Sequence, residues 1–523
     1  MPISLSSHLS ALTGPNRSAS LVGLHRGIEK ESLRVLPSGE LARTSHPPAL
    51  GAALTHPHIT TDFSEAQLEL ITQVNDSVEG CLKELTDVHR YVYEHIDNEL
   101  LWASSMPCVL AGDDIPLGYY GESNIGRTKT VYRQGLATRY GPLMQTISGI
   151  HYNFSIPEPL WSVLAEVRGG HLDQHFKTDA YFGLIRNFRR HSWLLIYLFG
   201  ASPALCKSFV KDTPHTLESF DEGSLYLPGA TSLRMGRLGY QSDAQADLHI
   251  SYNSLAQYAD SMRHALTQPF PAYEALGVRV DGQYRQLSST LIQIENEFYG
   301  TIRPKRRIGS GERPLTALNE RGVEYVEVRC IDLNPFLPVG IDAAQIRFLD
   351  TFLLHCLLSE SPPDSRTESA RLIENQLTVV ERGRATDTTL KQGDDPVSIA
   401  DWATHLLAEC GDIAALLDEA HGGSAYRESW HQQRDRVADP ELTPSAQILA
   451  AMREEAVPFF RFAMNRSLAH RNEFLASPMD PPMRKRFEQL ARQSLADQKT
   501  IEANDVVDFD SFLTSYLQLP ENP

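Results

Sequence analysis

The sequence predicts an α+β protein, a sheet-bearing body followed by a helical buttress, on three observations. Five short segments alternate apolar and polar residues with a period of two: Gly27–Glu31, Gln67–Ile71, Ile150–Phe154, Gln293–Glu297 and Val326–Cys330. All five lie between residues 27 and 332, in a span that mixes strand-like and helix-like patterns. After Pro335 strand signals nearly vanish and amphipathic helical patterns take over. Strands gathered ahead of helices, without regular β–α alternation, are the α+β pattern.

Taken in order, the strand-like segments turn apolar or small residues toward a core and polar ones the other way, because residues two apart share a face. Asp76 to Leu101 reads as a helix, with Asp76 or Ser77 as cap and Val78, Leu82, Leu85, Val88 and Val92 at helical spacing. Further helices are expected near Ala180–Leu198 and Asn253–Leu266. In the buttress, Asp342–Leu358, Ile399–Leu417, Pro444–Leu475 and Pro482–Ala503 read as helices, with Ser359–Ser369 and Arg434–Pro444 as exposed connections. No repeat or low-complexity tract occurs, and residues 1–523 are expected to form one domain, with a catalytic body over 20–350 and the buttress over 351–523.

Lysine and arginine total 48 against 66 aspartates and glutamates, a formal net charge of −18. That balance argues against a nucleic-acid partner, whose phosphates a protein surface must attract. It leaves nucleotides open, since a local cluster of cations suffices for them. No basic start followed by an apolar run marks a signal peptide, and the most apolar stretch, Trp193–Phe199, is too short to span a bilayer. The six scattered cysteines show no CxxC pair, so free, mostly buried thiols in a reducing cytoplasm are expected.

The chemistry lies in the polar fronts. On one strand face Glu29 and Glu31 stand about 6.6 Å apart and repel by roughly 2.5 kcal/mol at an effective dielectric of 20. Alone, such a pair is usually a solvated strand. Its company is Asp62, Glu65, Glu69, His151, Glu295, Glu297 and Glu327, and so many carboxylates on sheet fronts call for cations. Hard cations take carboxylate oxygens and tolerate an imidazole beside phosphates. Solvent on an edge strand is the competing reading for Glu65 and Glu295. His151 alone would read as a structural histidine, but Asn153 on the same front could orient a ligand. Arg329, two residues from Glu327, is either an ion-pair partner or an arginine that neutralises a transferring phosphoryl group. The basic run after Gly300, Arg303 to Arg307, reads as a solvated tail that could meet a triphosphate. No Walker A loop or dinucleotide fingerprint occurs.

Gly27–Val35, Ile59–Phe63, Met144–Phe154, Tyr197–Pro203, Ile302–Arg306 and Glu324–Arg329 together closely resemble the proteobacterial-type glutamate–cysteine ligase family, from about residue 20 to 350 and more loosely beyond. The resemblance implies a curved, mainly antiparallel sheet shaped as a funnel and related to the catalytic part of glutamine synthetase. It implies the first step of glutathione synthesis: ATP phosphorylates the side-chain carboxylate of L-glutamate, and L-cysteine's amine displaces the phosphate. The implied metal is Mg²⁺, or alternatively Mn²⁺, on Glu29, Glu31, Asp62, Glu69, His151 and Glu327.

Arg329 would contact the transferred phosphoryl group and Arg234 the glutamate α-carboxylate. Phe63, Tyr132, Tyr240 and Tyr299 would line the cysteine pocket. Arg133 and Asn153 would serve the nucleotide side. Glutathione enters as a candidate feedback inhibitor, the chain as a candidate monomer, with no membrane or nucleic-acid partner. A ligase for another amine, a guanidino-kinase-type phosphotransferase and a non-catalytic sensor are the rivals.

Overall fold

The computed structural model describes residues 4–108, 115–211, 213–238, 243–246, 248–309 and 311–519. The period-two segments assemble one seven-stranded antiparallel sheet from β1 (His25–Val35), β2 (Ile59–Thr61), β3 (Gln67–Ile71), β4 (Leu100–Leu101), β5 (Ile150–Ser155), β6 (Ile302–Lys305) and β7 (Tyr325–Ile331). The strand order is β6-β7-β5-β1-β3-β2, with β4 pairing the end of β1. The sheet's centre is therefore β1, flanked by β3 on one side and on the other by β5 from far along the chain.

The back of the sheet is apolar: Ile28, Leu68, Leu70, Ile150, Tyr152, Phe154, Val326 and Val328 are all buried in one core cluster. Helices Val78–Tyr93 and Gln174–Phe199 pack on it, and Ala343–Leu358 packs on both. Three polar residues of β1 also face this way. Arg26 meets Asp350 at 3.0 Å, with both side chains at most 1% exposed, and the Tyr152 hydroxyl donates to Asp350 at 2.6 Å. Lys30 donates to the Ser32 hydroxyl and contacts His89 Nε2, each at 2.9 Å, and burial pushes its ammonium down to about 7.

Several sequence expectations are corrected. Gln293–Glu297 is not a strand: Glu295–Glu297 forms a short 3₁₀ turn. The expected helix from Asp76 ends at Tyr93, and Leu100–Leu101 joins the sheet instead. Pro444–Leu475 divides into helices Pro444–Glu454 and Phe459–Ala476, because Pro458 has no N–H to continue a helix. Ser359–Ser369 is only partly a connection, since helix Arg366–Arg382 has begun by its end and Asp364 is buried. Likewise Arg434–Ala438 completes helix Ala425–Ala438. The buttress also carries a small hairpin, Thr389–Gln392 with Asp395–Ser398.

The expectation of six free thiols fails at one pair. Cys108 and Cys206 are disulfide-bonded across 98 positions, while Cys81, Cys330, Cys356 and Cys410 are free and buried. Spacing along a sequence cannot reveal such a pair; the fold brings the loop after Trp102 beside the Ala204–Cys206 strand. Burial pushes the Cys81 thiol up to about 11 and the Cys330 thiol up to about 12, so neither is a ready nucleophile. Among the described residues no helix is long and apolar enough to cross a membrane.

Candidate active site

Antiparallel register explains why the fronts converge. Residues directly opposite share a face. Glu31 lies opposite Glu69, Glu29 opposite His151, and Asn153 opposite both Gly27 and Glu327. Four strands thus deliver Glu29, Glu31, Glu69, His151, Asn153 and Glu327 to one surface. Asp62 follows β2, its N–H donating to the Gln67 carbonyl at 2.9 Å. At the other edge, the pairing of β7 with β5 shifts register between Val328 and Ile331. That bulge contains Arg329, and bulges re-aim side chains near sites.

The side chains form one network. His151 Nδ1 is 3.3 Å from Glu29 Oε2, and its Nε2 is 3.7 Å from Glu31 Oε1. The Asn153 amide donates to Glu29 at 2.8 Å, and the Gly149 N–H donates to Glu31 at 2.7 Å. Glu327, only 1% exposed, accepts from Lys305 at 3.0 Å and from Arg329 at 3.1 Å. The Glu327–Arg329 pair is thus formed within one strand, not across two. One ligand atom each from Glu29, His151 and Glu327 lie within 4.8 Å of one another.

Charge is graded across this floor. Burial favours neutral carboxyls throughout. At Glu327, the charges of Lys305, Arg329, His151 and Arg303 overcome burial and hold the carboxyl well below its ordinary range. At Glu29, burial is outweighed by the His151 hydrogen bond and the Lys305 charge, so its pKa falls despite Glu327. Glu31 is raised by burial and by Asp62. Glu69 is raised well above the ordinary range by burial and by Glu29, Asp62 and Glu31. The Glu69 end therefore holds more negative charge than its neighbours neutralise, which is the donor set a hard cation fits.

Arg234 is 1% exposed and lies beside the floor. Its Nη2 donates to the Arg329 carbonyl at 3.0 Å, and its Nη1 is 3.6 Å from Asp332. Asp332 is fixed in turn by the Ala201 N–H at 2.8 Å and the Ser232 hydroxyl at 2.9 Å. Tyr132 and Tyr299 come together: burial, Glu297 and Tyr299 raise the Tyr132 phenol, and Gln145 donates to the Tyr299 hydroxyl at 3.1 Å. Arg133 donates to the Asp62 carbonyl and lies 4.4 Å over the Tyr120 ring.

One pocket residue does not follow expectation and another is not described. Phe63 is 1% exposed and belongs to the core beneath, so it offers a substrate little surface. Tyr240 lies outside the described residues. Glu65, Glu295 and Glu297 are neither ligands nor solvated. Glu65 accepts the N–H groups of His46 and Tyr119, Glu295 pairs with Arg313, and Glu297 pairs with Arg139 and Tyr140. The basic run is not a tail either: Ile302–Lys305 is β6, and Arg307 turns away to Glu324.

Sequence reasoning missed Lys129 and Asp332 beside this site and took Lys305 only as part of a solvated basic run. Lys305 could have been found by its period-two relation to Arg303 on a strand. Lys129, one turn before Arg133, is pushed down to about 8 by burial and Arg133, against the pull of Glu69 and Asp62. Asp332 carried no local signal.

Known proteins share this arrangement of chain. The family model described as glutamate-cysteine ligase matches residues 9–379. A glutamate–cysteine ligase of Pseudomonas entomophila is 51% identical over 511 residues, covering 96% of each chain. That of Azotobacter vinelandii is 51% identical over 98% of this chain and 97% of its own. A crystal structure of the Francisella tularensis glutamate–cysteine ligase in complex with AMP superposes with a TM-score of 0.90 at 36% identity, covering 95% of this chain and 98% of that one. A bifunctional glutathione synthetase from Pasteurella multocida shares the fold at a TM-score of 0.71 and 24% identity, over 90% of this chain and 54% of its own. By the extent of these matches, the chain belongs to the glutamate–cysteine ligase family.

Proposed function

We propose that this protein joins the γ-carboxylate of L-glutamate to the amine of L-cysteine at the expense of ATP, as the first step of glutathione synthesis. The observation that carries the reading is family membership over nearly the whole chain. In the reaction a γ-carboxylate oxygen attacks the γ-phosphorus and ADP leaves. The cysteine nitrogen then attacks the acyl carbon, loses a proton, and phosphate departs.

The donor set of Glu29, Glu31, Asp62, Glu69, His151 and Glu327 supports Mg²⁺, which would screen the triphosphate charge when bound. The chain's own groups supply the rest. Arg329, anchored by Glu327, and Lys305 beside it present fixed positive charge where the phosphoryl group transfers. Arg234, fixed by Asp332, would hold the glutamate α-carboxylate. Asn153 and Arg133 would serve the nucleotide. Tyr132 and Tyr299 would shield the acyl phosphate from water and seat the thiol side chain.

Incubation with ATP, glutamate, cysteine and Mg²⁺ should give γ-glutamylcysteine and phosphate in equal amounts, and chelation should stop both. Phosphate release with several other amines and none with cysteine would overturn the reading. Glutathione contains the product's γ-glutamylcysteine unit, which supports competition at the glutamate site; inhibition indifferent to glutamate concentration would reject that part. ATP dependence supports a cytoplasmic location.

A further inference from the structure

The helix Asn124–Tyr140 carries Lys129, Tyr132 and Arg133, and its C-terminal end is held by Arg139, whose buried guanidinium pairs with Glu297 at 2.8 Å. It buries only Asn124, Gly126, Thr128, Gly135 and Leu136, mostly small or polar residues. The fastening of its N-terminal end comes from the far end of the chain. Asp505 accepts the Asn124 N–H at 2.5 Å, and the Val507 carbonyl accepts the Asn124 side-chain amide at 2.9 Å. The Arg127 guanidinium lies 4.1 Å over the Phe509 ring.

Phe509 and Leu513, each 4% exposed, form a third apolar cluster with Leu287 and Ile294, apart from the two main cores. Tyr132 packs against this cluster. Asp510 extends the fastening by accepting from the Tyr284 hydroxyl at 2.7 Å and from Arg279 at 2.8 Å. The helix Phe509–Leu517 thus ties the Asn124–Tyr140 helix to the segment around Leu287, while touching none of the front carboxylates.

We infer that Asp505 and Phe509 are positioning residues of the active site, setting the depth at which the Asn124–Tyr140 helix presents Tyr132 and Arg133 to substrates. The inference rests on the ligase reading for what those two residues meet. A negative side chain at a helix N-terminus and a ring under its second turn fix position without entering the chemistry. Small misplacements of binding groups are costly: an ångström can lose about a hundredfold in rate.

The test uses full-length Asp505→Ala, Asp505→Asn and Phe509→Ala. Three measurements are needed: Michaelis constants for all three substrates, amide exchange across residues 124–140, and the melting temperature. Faster exchange confined to that helix is expected, with the cysteine and ATP constants raised about tenfold. The glutamate constant should stay within about twofold, and Asp505→Asn, which keeps an acceptor, should recover most of the loss. Unchanged exchange and constants overturn the inference. So does a uniform loss across all substrates that follows the melting temperature, because that marks a purely structural clamp. If wild-type protein forms no γ-glutamylcysteine, the ligase reading fails separately. Without substrates to position, Asp505 and Phe509 are then structural clamps at most, and the positioning role falls with the reading, whereas unchanged exchange overturns it even when the ligase reading holds.

Discussion

Glu327 is one carboxylate among at least four, yet its surroundings differ from the others. Two cations hold it ionised at the Arg329 end of the floor, while Glu69 at the opposite end is pushed toward neutrality. Glu327→Gln keeps the shape and removes the charge, so it should fold normally and lose about a hundredfold or more in turnover. An unaltered rate at saturating Mg²⁺ would remove Glu327 from the proposed metal site. Arg234→Ala should raise the glutamate Michaelis constant about ten- to hundredfold, the worth of a charged hydrogen bond, and leave the ATP constant nearly unmoved. Equal effects on both would reject its role. For Cys108 the quantity at stake is stability. A bridge across 98 positions constrains the unfolded chain by roughly 4–5 kcal/mol in the loop-closure account. Cys108→Ser should lower the melting temperature. Four titratable thiols in the unreduced, unfolded protein confirm the bridge, and six would refute it.

At the scale of elements, four of the five period-two segments are strands because their alternation matches a pleat with one buried face. Gln293–Glu297 has the same alternation and becomes a turn, since Glu297 is drawn inward by Arg139 and Tyr140 from a helix residues away in sequence. Periodicity records which residues alternate, not which partner claims them. The same limit hid the roles of Lys305 and Asp332, whose neighbours come from other strands and loops. The burial of Phe63 was not legible, because a pocket wall and the core behind it have the same composition. The front itself was legible, because charged residues cannot line a strand face without a reason. The back of β1 makes an element-level prediction. Asp350 binds Arg26 and Tyr152 in a fully buried setting, so Asp350→Ala strands a guanidinium. Denaturant unfolding should show a loss of about 3–5 kcal/mol; a loss under 1 kcal/mol would mean water or another acceptor reaches Arg26.

For the whole molecule, acid stability follows from histidines kept neutral inside. Burial lowers His46 and His191 to about 3 and His56 to about 4, against an ordinary value of 6.5. Between those values the unfolded chain binds more protons than the native one, so stability rises with pH across the window and is lost as pH falls below 6.5. The melting temperature should therefore drop steadily from about pH 6.5 toward pH 4. A flat profile there would show that these rings are already protonated in the fold. The change after Pro335 to mainly helical structure was readable from periodicity, apart from the hairpin Thr389–Gln392 with Asp395–Ser398. The return of the last helices onto the front half was not, because each of those contacts pairs residues hundreds of positions apart.

The strand order has a consequence for the timing of synthesis. β1 emerges early, but its neighbour β5 lies more than a hundred positions later, and β7 supplies Glu327 only after another such interval. A nascent chain halted before residue 325 holds Glu29, Glu31 and Glu69 without the strand that completes their surface. If the front takes a cation as proposed, affinity for it should switch on only when the ribosome has passed β7, making metal uptake a reporter of how much of the chain has been born.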